Sequence, residues 1–312
     1  MPMLKMLDEG IAEYAAHLGQ RPLSDNTRKA FLGDARIFMR YMEERSAAQD
    51  GGRHSIGLTE ITSDAIRDFI RYLETGNVAR SPKSVERRLT SLKVMFKWLF
   101  ESGRLMRDPA DSVAYKPFMD ALPEYLSERE IEAVLQAARV VATNERLEMR
   151  PLTAIMLVLD TGIKKGECLS LRRDDIVRMD NGAACIVVKY ELKHLKFKSR
   201  NLGISEECLR VLDEHIRQYE PVDTLFDCTG RNLEYLFNRK VAPLANLTSL
   251  TFEMLRWTCA VRDYRSGTMN ADQLQVKYGL SEIGWAEMEA KLVRLLQHGP
   301  EDLHPPEQAD AQ

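Results

Sequence analysis

Two stretches decide how this chain folds: LVLDTGIKKGECLSLRRDDI, residues 157–176, and LTFEMLRWTCAVRDYRSGTMNADQLQVKYGLSEIGWAEME, residues 250–289. In both, apolar residues recur at helical spacing, and charged residues interrupt the apolar face where a plain core helix needs none. We read them as the two halves of one site.

Just before the first stretch, LSEREIEAVLQAA pairs a capping box of Ser127 and Glu130 with a staple of Leu126 against Ile131, which predicts a helix start. RPLTAIMLVLDTG then reads as a buried helix ending near Gly162. Between the two stretches, IVRMDNGAACIVVKY, residues 176–190, predicts a strand pair with Asp180, Asn181 and Gly182 at the turn. KFKSRNLGI, residues 196–204, is expected as a third strand, and SEECLRVLDEHIRQY returns to helix behind Ser205. The remainder is expected helical as far as Gln297, and the acidic, proline-bearing tail 298–312 is expected disordered.

Residues 1–116 predict helices only. In LSDNTRKAFLGDARIFMRYMEE, Ala30, Phe31, Ala35, Phe38, Met39 and Met42 form one stripe behind the polar starters Ser24, Asp25 and Asn26. A Gly-rich polar loop is expected over residues 46–57. SDAIRDFIRYLE carries Ile66, Phe69, Ile70 and Leu73, with Thr62 or Ser63 as cap. A third helix opens on Ser81 and Pro82, shows Val85, Leu89, Leu92, Met95, Phe96 and Leu99 on one side, and stops at Gly103. YKPFMDALP, with two prolines and no helical rhythm, reads as a linker. The expected organisation is therefore a helical domain over 1–116, a linker over 117–123, a second domain over 124–297 and the tail.

A length of 312 residues suits two domains, and 44% hydrophobic with 29% charged residues suits full-sized cores. Five cysteines without a C-x-x-C pair argue against a disulfide framework or a zinc ribbon, so neither a metal nor a cofactor is expected, and a cytoplasmic protein is. The N-terminus lacks signal-peptide character and no run of about 18 apolar residues occurs, so no membrane association is expected. The formal net charge of −3 gives no global argument for nucleic acid. Charge is local instead. Residues 80–97 hold six basic side chains against one acidic, and residues 189–200 hold five against one. Such clusters suit phosphate, or simply a solvated face. Off the apolar stripe of the third helix lie Lys83, Arg87, Arg88, Lys93 and Lys97, a cationic face long enough to follow a phosphate backbone.

TGIKKGECLSLRRDDI resembles the segment of tyrosine recombinases and phage integrases written T-G-L-R-x-x-E-L-x-x-L-x-W-x-D-I. FEMLRWTCA resembles their H-x-L-R-H-T-x-A box, and KYGLSEIGWAEME their L-G-H-x-x-x-x-T-x-x-Y ending. The likeness in spacing and apolar pattern extends roughly over residues 4–296. It implies a mainly α, α+β architecture: an N-terminal helical core-binding (SAM-like) domain that closes over one side of a DNA duplex, then a catalytic-type domain of helices with a small three-stranded antiparallel sheet. Within that second domain, Lys165 to Leu171 is the counterpart of the family's helix start after the first arginine.

Members of the family cut DNA by attack of a tyrosine hydroxyl on a backbone phosphate. They stabilise the charge that builds there with two arginines, a hairpin lysine and two His or His/Trp positions. By the resemblance, the first arginine falls on Lys164, which keeps the charge without the planar fork. The hairpin lysine falls among Lys193, Lys196 and Lys198, with Lys196 favoured. The first histidine falls on Glu253, a carboxylate that repels phosphate; the second arginine is kept as Arg256. The next histidine falls on Leu280, Trp285 replaces it only with a five-residue register shift, and the nucleophile falls on Glu289. No tyrosine follows Tyr278. Losing one oxyanion donor costs about 10²- to 10³-fold in rate, and losing the nucleophile removes the covalent route.

Plainer roles stand beside these. Glu253 and Arg256 are expected as an i,i+3 ion pair worth about 0.2–0.5 kcal/mol. Trp285, Met288, Leu292, Leu295 and Leu296 form a packing stripe. The resemblance implies a DNA-binding pseudoenzyme linked to recombination or integration and to a mobile genetic element. Its expected DNA contacts are Arg80, Lys83, Arg87, Arg88, Lys93, Lys97, Lys164, Lys193, Lys196, Lys198, Arg200 and Arg256. Its expected partners are double-stranded DNA and an active recombinase or a second copy met through the C-terminal helix. The alternatives are a divergent active recombinase using Tyr278 or Tyr264, and a protein-binding accessory factor.

Overall fold

The computed structural model describes residues 6–50, 55–75, 80–116, 121–143 and 147–297, and the chain divides into two units, Met1–Asp120 and Ala121–Gln312. The expected linker straddles that division. Its residues 117–120, part of the expected 46–57 loop and the whole 298–312 tail lie outside the described residues.

The first unit contains α1 (Leu7–Gly19), α2 (Asp25–Asp50), α3 (Ser63–Thr75) and α4 (Pro82–Glu101). Helix starts follow the sequence signals: Thr62 Oγ1 accepts from Ala65 N at 3.1 Å, and Ser81 Oγ accepts from Ser84 N at 3.4 Å with Pro82 in the first helical position. The α4 stripe from Val85 to Leu99 is buried throughout, and Phe38 of α2 meets Phe69 and Phe96 edge-on at 5.1 and 6.0 Å. Two expectations for α2 are corrected. The helix continues to Asp50 where a loop was expected from 46, because Ser46, Ala47 and Ala48 carry no helix-breaking residue. Ala30, expected on the buried stripe, is exposed, and Phe31 and Met39 are only half-buried.

In the second unit, α6 (Arg150–Thr161) is the hub: every residue from Pro151 to Leu159 is buried, and α5 (Glu128–Thr143), α8 (Glu206–Tyr219) and α10 (Phe252–Ser266) pack on it. A helix apolar on all sides can only be a central one. Ser127 and Glu130 make the expected capping box, with Ser127 N on Glu130 Oε2 at 2.7 Å. Strands β1 (Ile176–Arg178), β2 (Ala184–Val188) and β3 (Arg200–Ile204) form an antiparallel sheet in that order, registered by Ile176 opposite Ile186 and Val188 opposite Arg200. The third strand is shorter than the expected 196–204. Lys193–Lys198 winds into a 3-10 turn, and Ser199 Oγ accepts from Tyr190 N at 2.9 Å to close the hairpin. With its lysines at 193, 196 and 198, that run lacks the strict alternation of a half-buried strand. α7 (Lys165–Ser170), α9 (Gly230–Leu236), α11 (Ala271–Tyr278) and α12 (Glu282–Gln297) complete the unit. On α12 Trp285, Met288, Leu292 and Leu295 are buried, while Leu296, expected in the stripe, is exposed. Among the described residues no helix is long and apolar enough to cross a membrane, and no group of His, Cys, Asp or Glu could hold a metal ion.

Candidate nucleic-acid interface

Gly162 ends α6 at φ +61°, and a Cβ there would lie 2.4 Å from the Tyr278 ring, so only glycine lets the chain turn this close to α11. Two residues later Lys164 caps α7, its backbone N–H bonded to Glu167 Oε2 at 2.9 Å. Glu167 is buried and fully engaged. Arg200 Nη1 and Nη2 donate to its two oxygens at 3.0 and 2.8 Å, and the Tyr190 hydroxyl donates at 2.7 Å. Burial pushes the Glu167 carboxyl up, but the Arg200 hydrogen bonds and charge outweigh it, so the net shift is downward.

The second sequence stretch closes over this knot at the C-terminal end of α11. Three successive carbonyls there accept from three basic side chains of three different elements. Lys277 O takes Arg200 Nε at 2.7 Å, Tyr278 O takes Arg256 Nη2 at 3.1 Å, and Gly279 O takes Lys164 Nζ at 2.9 Å. Cations at the negative end of a helix are favourable, and each bond satisfies a carbonyl that has no partner within the helix. Arg256 Nε also donates to Gly162 O at 2.9 Å, and its guanidinium lies 5.5 Å from the Tyr278 ring centroid. Lys164 is shifted from the ordinary 10.5 down to about 8: burial disfavours its charge, Glu167 offsets part of that, and the positive charges of Arg256, Arg200 and Lys198 add to it.

Lys164 and Arg256, expected together, thus meet, and both line a cavity of about 560 Å³ whose wall includes Glu253, Trp257, Leu280, Glu287 and Met288. Glu253 is exposed, and no ion pair joins it to Arg256; the expected pair is not made, because Arg256 gives its N–H groups to Gly162 and Tyr278 instead. Arg200, expected as a phosphate contact, has a side chain only 2% exposed and is committed to Glu167. Among the hairpin lysines, the charge of Lys198 helps to lower the Lys164 pKa, and Lys193 and Lys196 are exposed on the 3-10 turn. Glu289 is half-buried on α12 and is not among the residues lining the cavity. Trp285 is buried and is not among the residues that line the cavity. The Tyr278 hydroxyl donates to Asp263 Oδ2 at 2.6 Å, an oxygen that also pairs with Lys277 Nζ at 2.6 Å, and burial pushes the Tyr278 pKa well above the usual range. Tyr264 packs half-buried against the cluster containing Trp285 and Leu292.

On the first unit, the face of α4 is less free than its composition implies. Buried Asp34 of α2 accepts from Arg87 at 2.6 and 3.0 Å and from Ser91 at 2.8 Å, and lies 3.4 Å from Arg88 Nε. Lys93 donates to Asp111 O at 3.3 Å, Lys97 lies 3.8 Å from Glu101, and Arg80 and Lys83 are exposed. Asp34, Glu167 and Tyr190 are the residues that the sequence reading missed. For Asp34 the signal was present, an acid set inside the apolar stripe of α2.

The phage integrase family model matches residues 124–286, and the model for the phage integrase N-terminal SAM-like domain matches residues 11–103. The chain therefore belongs to the phage integrase family, the tyrosine recombinases. It is 28% identical over 171 residues to a tyrosine recombinase of Thermosipho africanus, covering 54% of each chain. It is 26% identical over 215 residues to the tyrosine recombinase XerD of Pseudomonas aeruginosa, covering 66% of this chain and 65% of that one. It is 23% identical over 269 residues to the tyrosine recombinase XerC of Roseiflexus castenholzii, covering 84% and 82%. The chain thus spans between about half and two thirds of the first two relatives. Its fold is similar to that of a lambda integrase dimer bound to a COC′ core site, with TM-score 0.66 at 17% identity over 90% of this chain and 76% of that one. It is also similar to the XerH recombinase bound to its difH substrate, with TM-score 0.65 at 18% identity over 87% and 78%.

Proposed function

We propose that this chain binds double-stranded DNA on the tyrosine recombinase scaffold and does not cleave it. One observation carries the reading: Lys164 and Arg256 are brought to one cavity, and no tyrosine is among the residues that line it. Both cations keep N–H donors beyond those given to carbonyls, since a lysine has three and an arginine five. Leu280 and Glu289 stand where the family's histidine and tyrosine are expected: leucine has no proton to donate, and Glu289 is not among the residues that line the cavity. The DNA complexes of the lambda integrase and XerH, on the same fold, support the choice of duplex as ligand.

On this reading the expected phosphate contacts are Arg80, Lys83, Lys93, Lys97, Lys164, Lys193, Lys196, Lys198 and Arg256. Arg200 acts as a positioning residue, and Arg87 and Arg88 anchor α4 to α2. A gel-shift titration at low salt tests the binding; no shifted band at any protein concentration contradicts it. The slope of affinity against salt counts the phosphates engaged.

A second reading, an accessory role beside an active recombinase or a second copy, is favoured by Ile283, Val293 and Leu296, which α12 leaves exposed at 76%, 40% and 38%. Replacing Ile283 and Leu296 by serine tests it without removing the buried Trp285 face. An unchanged oligomeric mass, and unchanged capture of an active recombinase on DNA, would remove the idea.

A further inference from the structure

The cavity beside Lys164 and Arg256 is larger and more divided in character than a backbone phosphate requires. Its volume of about 560 Å³ falls within the range of pockets that enclose whole small ligands. One pole is cationic, with Lys164 and Arg256 held in place by the carbonyls of Gly279, Tyr278 and Gly162. The rest of the lining holds the apolar and aromatic side chains of Phe252, Trp257, Leu280 and Met288, the carboxylates of Glu253 and Glu287, and Lys291. A third carboxylate on the wall, Glu234, is taken up by Lys165 at 2.9 Å.

Beside a phosphate on Lys164 and Arg256, Glu253 and Glu287 disfavour a second anion, and Trp257 offers a flat π surface. What fits beside one phosphate is a flat π surface bearing N–H donors. Resting on the reading of the chain as a DNA-binding protein, we propose that this cavity takes one unpaired nucleotide of the bound DNA: its phosphate on Lys164 and Arg256, its base on Trp257, and its exocyclic amine on Glu253 or Glu287. An unpaired cytosine offers its N4 amine to a carboxylate, whereas thymine offers only an N3–H flanked by two carbonyl oxygens that the carboxylate repels, so cytosine is preferred over thymine. Extrahelical bases are held in this manner by stacking together with hydrogen bonds to the edge of the base.

Fluorescence anisotropy of the full chain at low salt, on labelled duplexes of one sequence, tests the proposal. The duplexes are fully paired, or carry at one place an unpaired cytosine, an unpaired thymine or an abasic residue. The expected result is that the cytosine bulge binds about tenfold tighter than the paired and abasic duplexes, with thymine between them. Trp257→Ala should bring the cytosine bulge down to the abasic value, and Glu253→Gln should narrow the difference between cytosine and thymine. Should Trp257→Ala fail to fold, the comparison of cytosine, thymine and abasic duplexes on the unaltered chain decides alone. Equal affinity for cytosine and abasic bulges overturns the proposal while leaving duplex binding intact. Failure to bind any of the four overturns the DNA-binding reading itself, and the proposal with it.

Discussion

Arg256 is held by two carbonyls and lines the cavity, so its charge is positioned before any ligand arrives. Replacing it with alanine is expected to weaken DNA binding and to lower the salt slope by about one unit, read from titrations across about 50–200 mM salt. Lys164 adds a pH dependence. With its value lowered to about 8, the folded protein loses this proton over a range in which an unfolded lysine still keeps it. Below about pH 8 both states are charged and burying the charge costs stability. Between about 8 and 10.5 the unfolded chain binds more protons, so that cost is relieved as pH rises. Phosphate needs the charged form, so DNA affinity is expected to fall as pH passes upward through about 8. Lys164→Arg should flatten that profile, because a guanidinium stays protonated there. The positions of Arg256 and Gly162 were legible in the sequence, since a kept motif and a helix-ending glycine are local signals. The partners of Arg256 were not. Glu253 is three residues away in sequence, yet the bonds go to Gly162 and Tyr278, which only the tertiary approach of α6 and α11 brings near.

At the scale of elements, two crossings carry the prediction. Gly162 joins α6 to α7 with a positive φ and with the Tyr278 ring where a Cβ would stand. Gly162→Ala is therefore expected to cost more than about 1 kcal/mol of stability, measured by urea unfolding; a neutral result would show that α11 does not pack as described. Between α2 and α4, Asp34 holds Arg87 and Ser91 in a buried setting. Asp34→Asn should destabilise the protein by about 1–3 kcal/mol and lower its melting temperature, since neutral amide replaces charge-assisted bonds in the interior. Helix starts, the hub character of α6 and the three-stranded sheet could be read from caps, periodicity and turn residues. The extent of β3 was legible only in part: the lysines at 193, 196 and 198 lack strict alternation, but the turn itself is closed by Ser199 on Tyr190. The neutralisation of α4 was not legible, because Asp34 and Arg87 are 53 residues apart in sequence.

For the molecule as a whole, the scaffold of the tyrosine recombinases is kept, and the proposed loss of cleavage rests on Glu253, Leu280 and Glu289 standing where the resemblance expects histidine and tyrosine. Phosphate-binding charge depends on a few side chains set by the fold, whereas strand cleavage depends on one hydroxyl poised beside them. The two functions can therefore be lost separately. Tyr278, the last tyrosine in the sequence, donates its hydroxyl to Asp263. The most direct measurement is a single incubation of the full chain with a labelled, nicked suicide duplex, divided between a native and a denaturing gel. The account predicts a shifted complex on the native gel and free DNA alone on the denaturing one. A covalent protein–DNA adduct that survives denaturation would contradict it.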